Sequence, residues 1–128
     1  MRNLLILLAL AAGFMCSACT QYADSDTRAA IQAAFPGAPI MVAVANCESR
    51  MRQFNADGTV IHGVQHRQDS GLLQINKSVH APKAKELGIN LDTTEGNLAF
   101  GRYLYDHYGL TPWASSRGCW GRSRIASQ

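Results

Sequence analysis

Charge is scarce in this chain. Charged side chains make up 16% of the 128 residues, and 12 basic groups against 9 acidic ones leave a formal charge of only +3. The dense Lys/Arg face of a nucleic-acid binder is missing. A mild positive excess favours approach to an anionic surface without requiring one. Internal repeats and low-complexity tracts are absent too, and the length leaves no room for two independent cores. Disorder as the overall state is excluded by the hydrophobic fraction of 47%. One small domain remains.

Long apolar runs are missing as well, apart from the start. Met1-Arg2-Asn3 precedes the uncharged stretch from Leu4 to Met15, which is shorter than the roughly 20 residues a membrane-spanning helix needs. A basic start, a short apolar run and then small residues form the layout of a secretory signal peptide, expected over residues 1–18. Cys16-Ser17-Ala18-Cys19 resembles a bacterial lipobox, with Cys19 as the residue lipidated. Cys16 departs from that pattern, which usually has Leu there. Ordinary cleavage after Ala18, giving a soluble secreted protein, is the alternative. Export to the periplasm, with an anchor at Cys19, is the expectation. Of the four cysteines, Cys47 and Cys119 then remain as a pair, and an oxidising compartment favours a disulfide between them.

Residues 19–25 predict a short polar tether, and residues 26–128 the folded domain. Asp26 is placed to cap a helix from Thr27 to about Phe35, closed by Pro36-Gly37. A second, buried helix is expected from Pro39 or Ile40 to Glu48, with a short strand as the alternative because of Val42 and Val44. Asp57-Gly58 between strand-forming residues predicts a hairpin. Gly71 to Ile75 suggests a short buried helix. Pro82 and Gly88 bracket another through Ala84 and Leu87. Asp92 as N-cap and Glu95 three residues later open a last helix that runs to Tyr108 and stops at Gly109. The fold class is α+β, mostly α.

Glu48 is the residue that points to chemistry. It ends an apolar helix and follows Cys47, so a bridge there pins its backbone. A carboxyl beside apolar walls loses hydration, which raises its pKa and suits it to act as a general acid near neutral pH. The plain alternative is that Glu48 marks where the helix meets water. A second signal follows at Asp69-Ser70-Gly71-Leu72-Leu73-Gln74-Ile75-Asn76, where Gln74 and Asn76 offer amides among apolar neighbours. No metal or cofactor is expected: His62 and His66 are four apart in a strand-like region, and no compact ligand set surrounds them. A Cys47 nucleophile with a histidine base is the rival to the disulfide.

Glu48-Ser49 followed by Ser70-Gly71-Leu72-Leu73-Gln74-Ile75-Asn76 resembles the lysozyme-like superfamily, in particular the bacterial soluble-lytic-transglycosylase domain. That family's pattern is an apolar helix ending in Glu-Ser, a short β-hairpin, and then Gly-Leu-x-Gln. The segment from Asp69 to Asn76 is also similar to the animal c-type lysozymes. Asn97 to Leu104 matches the family's later helix, and the resemblance covers about Pro39 to Trp120. One departure stands out. The family's Tyr-Asn pair near the end is replaced by Leu110 to Trp120, where Trp113 or Tyr105 is the candidate aromatic surface, with core packing as the plain reading of both tryptophans.

The resemblance implies a lysozyme-like fold with a small hairpin beside a cleft, and a peptidoglycan glycan strand as partner. It implies that Glu48 protonates the bond between N-acetylmuramic acid and N-acetylglucosamine and then helps the muramic acid 6-hydroxyl close on C1, giving a 1,6-anhydro product. Ser49, Gln74 and Asn76 would orient Glu48 or the sugars. Asp69 leaves two routes open. Facing Glu48 across the cleft, it permits lysozyme-type hydrolysis by two carboxyls; capping a helix at Gly71, it leaves one carboxyl to do the work. The non-enzyme rival is a glycan-binding or secretion-scaffold protein.

Overall fold

A computed structural model of the protein describes residues 17–123. The leader expected over residues 1–18 lies, up to residue 16, outside the described residues, as does the side chain of Cys19. The architecture is a mostly helical α+β fold, with five α-helices and one two-stranded antiparallel sheet among the described residues. In chain order these are α1 (Ser17–Ala34), α2 (Ile40–Ser49), β1 (Asp69–Ser70), β2 (Ile75–Asn76), α3 (Lys77–Glu86), α4 (Thr94–Tyr108) and α5 (Arg117–Ser123). A 3-10 segment, Thr111–Ser116, leads into α5.

Helix α2 is the centre of the molecule. Met41, Val44 and Ala45 are fully buried on it, and α1, the 3-10 segment and α5 pack against it. Ile31 and Phe35 reach in from the end of α1, Phe100 and Leu104 from α4, and Trp113 and Trp120 from the last segments. The strand alternative for this stretch is therefore not what forms. The helix ends because Arg50 and Met51 both turn left-handed, at φ 56° and 58°. The Arg50 amide closes the cap on the Ala45 and Asn46 carbonyls.

Expectations for α1, α3 and the segment between the strands need correction. Helix α1 begins at Ser17 rather than Thr27, so it runs through residues expected as a tether; nothing between 17 and 34 is a proline or glycine to stop it. Helix α3 begins at Lys77, where Asn76 caps it by accepting from the Val79 amide at 3.2 Å, so Pro82 sits inside the helix rather than at its first turn. The segment Gly71–Gln74 is a turn between β1 and β2, whose register is Asp69 opposite Asn76 and Ser70 opposite Ile75. The helix expected there does not form.

The reason is a set of buried side chains that take the turn's backbone groups for themselves. Gln53 accepts from the Leu72 amide at 2.8 Å. Asn97 accepts from the Leu73 amide at 2.8 Å and donates to the Ser70 carbonyl at 3.0 Å. Ser49 donates to the Leu72 carbonyl at 2.8 Å, and the Trp113 indole to that of Leu73 at 2.9 Å. Buried backbone groups must be paired, and here side chains from four places in the chain do the pairing. Gly71 is required in this turn. Its φ is +74°, and a Cβ would come within 2.5 Å of the Asn97 amide nitrogen and 2.6 Å of the Gln53 side chain.

Near the surface, the Asp57-Gly58 turn is present, with Gly58 at φ +83° and a single bridge between Phe54 and Val60. Helix α4 ends at Gly109 as expected. Its N-cap is Thr93, which accepts from the Gly96 amide at 3.0 Å, one residue later than Asp92.

Candidate active site

Glu48 lies in the last turn of α2, half-buried, and opens into a small cavity of about 120 Å³. Asp69, Gln74, Ile75 and Asn76 bound it on the hairpin side, His80 on α3, and Pro112, Trp113 and Ser115 on the 3-10 segment. Cys47 is bonded to Cys119 with their Cα atoms 6.0 Å apart. That excludes the Cys47 nucleophile and ties α2 to α5 directly beside Glu48.

Burial pushes the Glu48 carboxyl up from its ordinary 4.5. A hydrogen bond from Ser116 Oγ to Glu48 Oε1, at 2.5 Å, pulls it part of the way back, and the negative charge of Asp69 pushes it up again. Removal of water outweighs the stabilising bond, so the site favours a protonated carboxyl relative to free solution. A raised pKa is the direction a proton donor needs.

The other residues singled out in the sequence divide sharply. Asp69 has no helix to cap; it sits on β1, faces the cavity and accepts from the Asn76 amide at 2.8 Å. Asn76 is committed at both ends, to Asp69 and to the α3 cap, so it orients Asp69 instead of offering a free amide. Gln74 takes the left-handed conformation at φ 49°. Its backbone amide bonds to the Gly71 carbonyl at 3.1 Å, and its side-chain amide to the same oxygen at 2.8 Å. Such a conformation in a non-glycine residue is costly and is retained only where its surroundings dictate it.

Ser49 does not reach Glu48. It is buried, and its hydroxyl donates to the Leu72 carbonyl at 2.8 Å and accepts from the Arg52 amide at 3.1 Å. Tyr105 is also elsewhere: it packs edge-on to Phe35 at 5.9 Å and borders a separate groove of about 650 Å³ with Arg28, Pro39 and Asn46. That groove is larger, but among the described residues no carboxylate lines it. Trp113 does border the Glu48 cavity, yet only 3% of it is exposed, so it is a wall and not a stacking platform. Trp120 is core, its indole donating to the Trp113 carbonyl at 2.9 Å.

Two residues at the site carry no signal in their local sequence. His80 contributes an imidazole whose pKa burial lowers, with its ring 5.5 Å from that of Phe100. Ser116 is the more informative. It stands one helical turn before Cys119, and Cys119 is bridged to the neighbour of Glu48. A disulfide at 47–119 therefore implies that residue 116 lies near residue 48, a deduction available from the sequence once the bridge is assumed.

Among the described residues, no cluster of three or more His, Cys, Asp or Glu is arranged to hold a metal ion, and no helix is long and apolar enough to cross a membrane. Comparisons with protein-family models, with curated proteins and with solved structures find no match to this chain.

Proposed function

We propose that this protein is a peptidoglycan-cleaving lytic transglycosylase of lysozyme-like fold, with Glu48 as its general acid and base. The observation that carries the reading is a half-buried glutamate, raised in pKa by desolvation, set in a cavity between a helix end and a hairpin turn. The order of elements supports it: an apolar helix ending in Glu-Ser, then turns, then Gly-Leu-Leu-Gln packed against the same helix.

Glu48, protonated, donates to the glycosidic oxygen between N-acetylmuramic acid and N-acetylglucosamine, and the C1–O bond breaks. The resulting carboxylate takes the proton of the muramic acid 6-hydroxyl. That oxygen closes on C1, forming the 1,6-anhydro ring and returning the proton to Glu48. A cavity of about 120 Å³ has room for the reacting atoms alone, so this reading requires the rest of the strand to lie outside it. The disulfide supports an exported setting, and a periplasmic lipoprotein anchored through Cys19 is the form proposed.

A specific observation favours a second reading. Asp69 shares the cavity, and its charge acts on Glu48, so a lysozyme-type hydrolysis can use Asp69 to steady the developing positive charge at C1. Clearing of a suspension of purified cell walls tests both. Glu48→Gln is expected to abolish clearing; equal clearing by wild type and variant removes Glu48 from the mechanism. Asp69→Asn is expected to retain clearing under the one-carboxyl reading and to lose most of it under the hydrolytic one. A wild-type protein that binds walls without clearing them returns the chain to a glycan-binding role.

A further inference from the structure

We propose that Ser116 is a positioning residue for Glu48, whose single hydroxyl proton exchanges between two acceptors and so holds the carboxyl in both its charged and its neutral form. Ser116 Oγ lies 2.5 Å from Glu48 Oε1 and 3.1 Å from the Trp113 carbonyl oxygen. A serine hydroxyl has one proton to donate and two lone pairs with which to accept. It cannot donate to both oxygens at once.

The two arrangements match the two states of Glu48. With the carboxyl ionised, Ser116 donates to Oε1, and the charge makes this the stronger bond. With the carboxyl protonated, Glu48 donates its own O–H to Ser116 Oγ, and Ser116 turns its proton to the Trp113 carbonyl. No heavy atom has to move, because 2.5 Å suits an O–H···O bond running either way. The second acceptor is fixed in place: Trp113 is buried, its indole is bonded to the Leu73 carbonyl, and its own carbonyl already takes the Trp120 indole. The Cys47–Cys119 bridge sets the spacing between the two segments.

The inference rests on the proposed reaction, in which Glu48 loses and regains a proton at every turnover and so needs a partner that serves both states. Other titratable groups face the carboxyl from different elements. Asp69 on β1 adds negative charge, and His80 on α3 borders the same cavity. Arg117, at the start of α5, lines a separate concavity with Leu110, Thr111 and Trp120. The Ser116 bond to the ionised form opposes both burial and Asp69, so its removal sends the Glu48 titration to higher pH.

Carboxyl carbon NMR of the glutamate-labelled protein reads this without any substrate. The chain has three glutamates, Glu48, Glu86 and Glu95, and Glu48→Gln assigns the signal. In Ser116→Ala the Glu48 midpoint is expected at higher pH than in wild type; in Ser116→Thr, which keeps the hydroxyl, it is expected to return towards the wild-type position. Wall clearing by Ser116→Ala is expected to fall roughly tenfold, with its pH profile displaced in the same direction. A midpoint unmoved by loss of the hydroxyl, or not restored by threonine, overturns the proposal. Wild-type protein that leaves walls intact while Glu48 titrates as described supports the exchange and removes the proposed reaction instead.

Discussion

The two walls of the Glu48 cavity are fastened in different ways. The wall formed by α2, the 3-10 segment and α5 is held by one covalent bond, Cys47–Cys119, and by the packing of Trp113 and Trp120. The hairpin wall has no such link. It is held by neutral side chains, Ser49, Gln53 and Asn97, that satisfy the backbone of residues 70–73. The first wall carries the proposed acid and the hydroxyl that positions it; the second carries Asp69, Gln74 and Asn76. A polar turn buried this deeply is stable only while each of its groups stays paired. The comparison teaches that a cavity wall can be held without a covalent link, by the buried side chains of Leu72, Leu73 and Ile75 and by paired backbone groups, but that each of those hydrogen bonds then becomes necessary.

The largest effect belongs to a change that leaves both walls standing. Glu48→Gln is expected to lower wall cleavage about a thousandfold, the range of a lost general acid, with an unaltered circular dichroism spectrum. Next comes the covalent wall. Replacing Cys47 and Cys119 together by alanine removes a link between positions 72 apart in sequence and should cost about 4 kcal/mol in urea unfolding. Asn97→Ala attacks the other wall: it leaves the Leu73 amide without its side-chain acceptor and takes one bond each from the Ser70 and Leu91 carbonyls, for about 2 kcal/mol. If the walls differ as described, a Cys47/Cys119 variant still folded at low temperature loses the Ser116 effect on Glu48. The Asn97 variant keeps that effect and loses the influence of Asp69.

The smallest effect is one of sign. Because burial raises the Glu48 pKa above its ordinary 4.5, the folded state holds that proton more tightly than the unfolded chain does. The associated stability is present in acid and is lost as pH rises through the raised value. Glu48→Gln should therefore melt higher than wild type at neutral pH, with the gap closing in acid, a small difference because the carboxyl is part solvated. Calorimetry across pH 3 to 8, about the window of the titration, checks the direction.

Much of the covalent wall was legible in the sequence, and little of the hairpin wall was. Apolar composition suggested α2, with a strand as its alternative, and cysteine counting under an expected leader paired Cys47 with Cys119. Gly109 marked the end of α4, because glycine stops helices for local reasons. Gly71 to Ile75 misled, since five residues with two leucines look the same in a buried helix and a buried turn. What separates the two is the presence of Gln53 and Asn97, which lie far away in the sequence. Local propensity has no access to such partners. The same limit applies to Tyr105, offered by the sequence as an aromatic surface for the site, while the groove it borders lies elsewhere. Ser49 followed the family pattern in sequence, but its hydroxyl faces the turn backbone.

The account depends on one proton moving from the Glu48 carboxyl to a glycosidic oxygen. Mass spectrometry of the fragments released from purified cell walls tests that step most directly. Wild type should release muropeptides ending in 1,6-anhydro rings, and Glu48→Gln at equal concentration should release none. Identical fragments from both proteins would contradict the account.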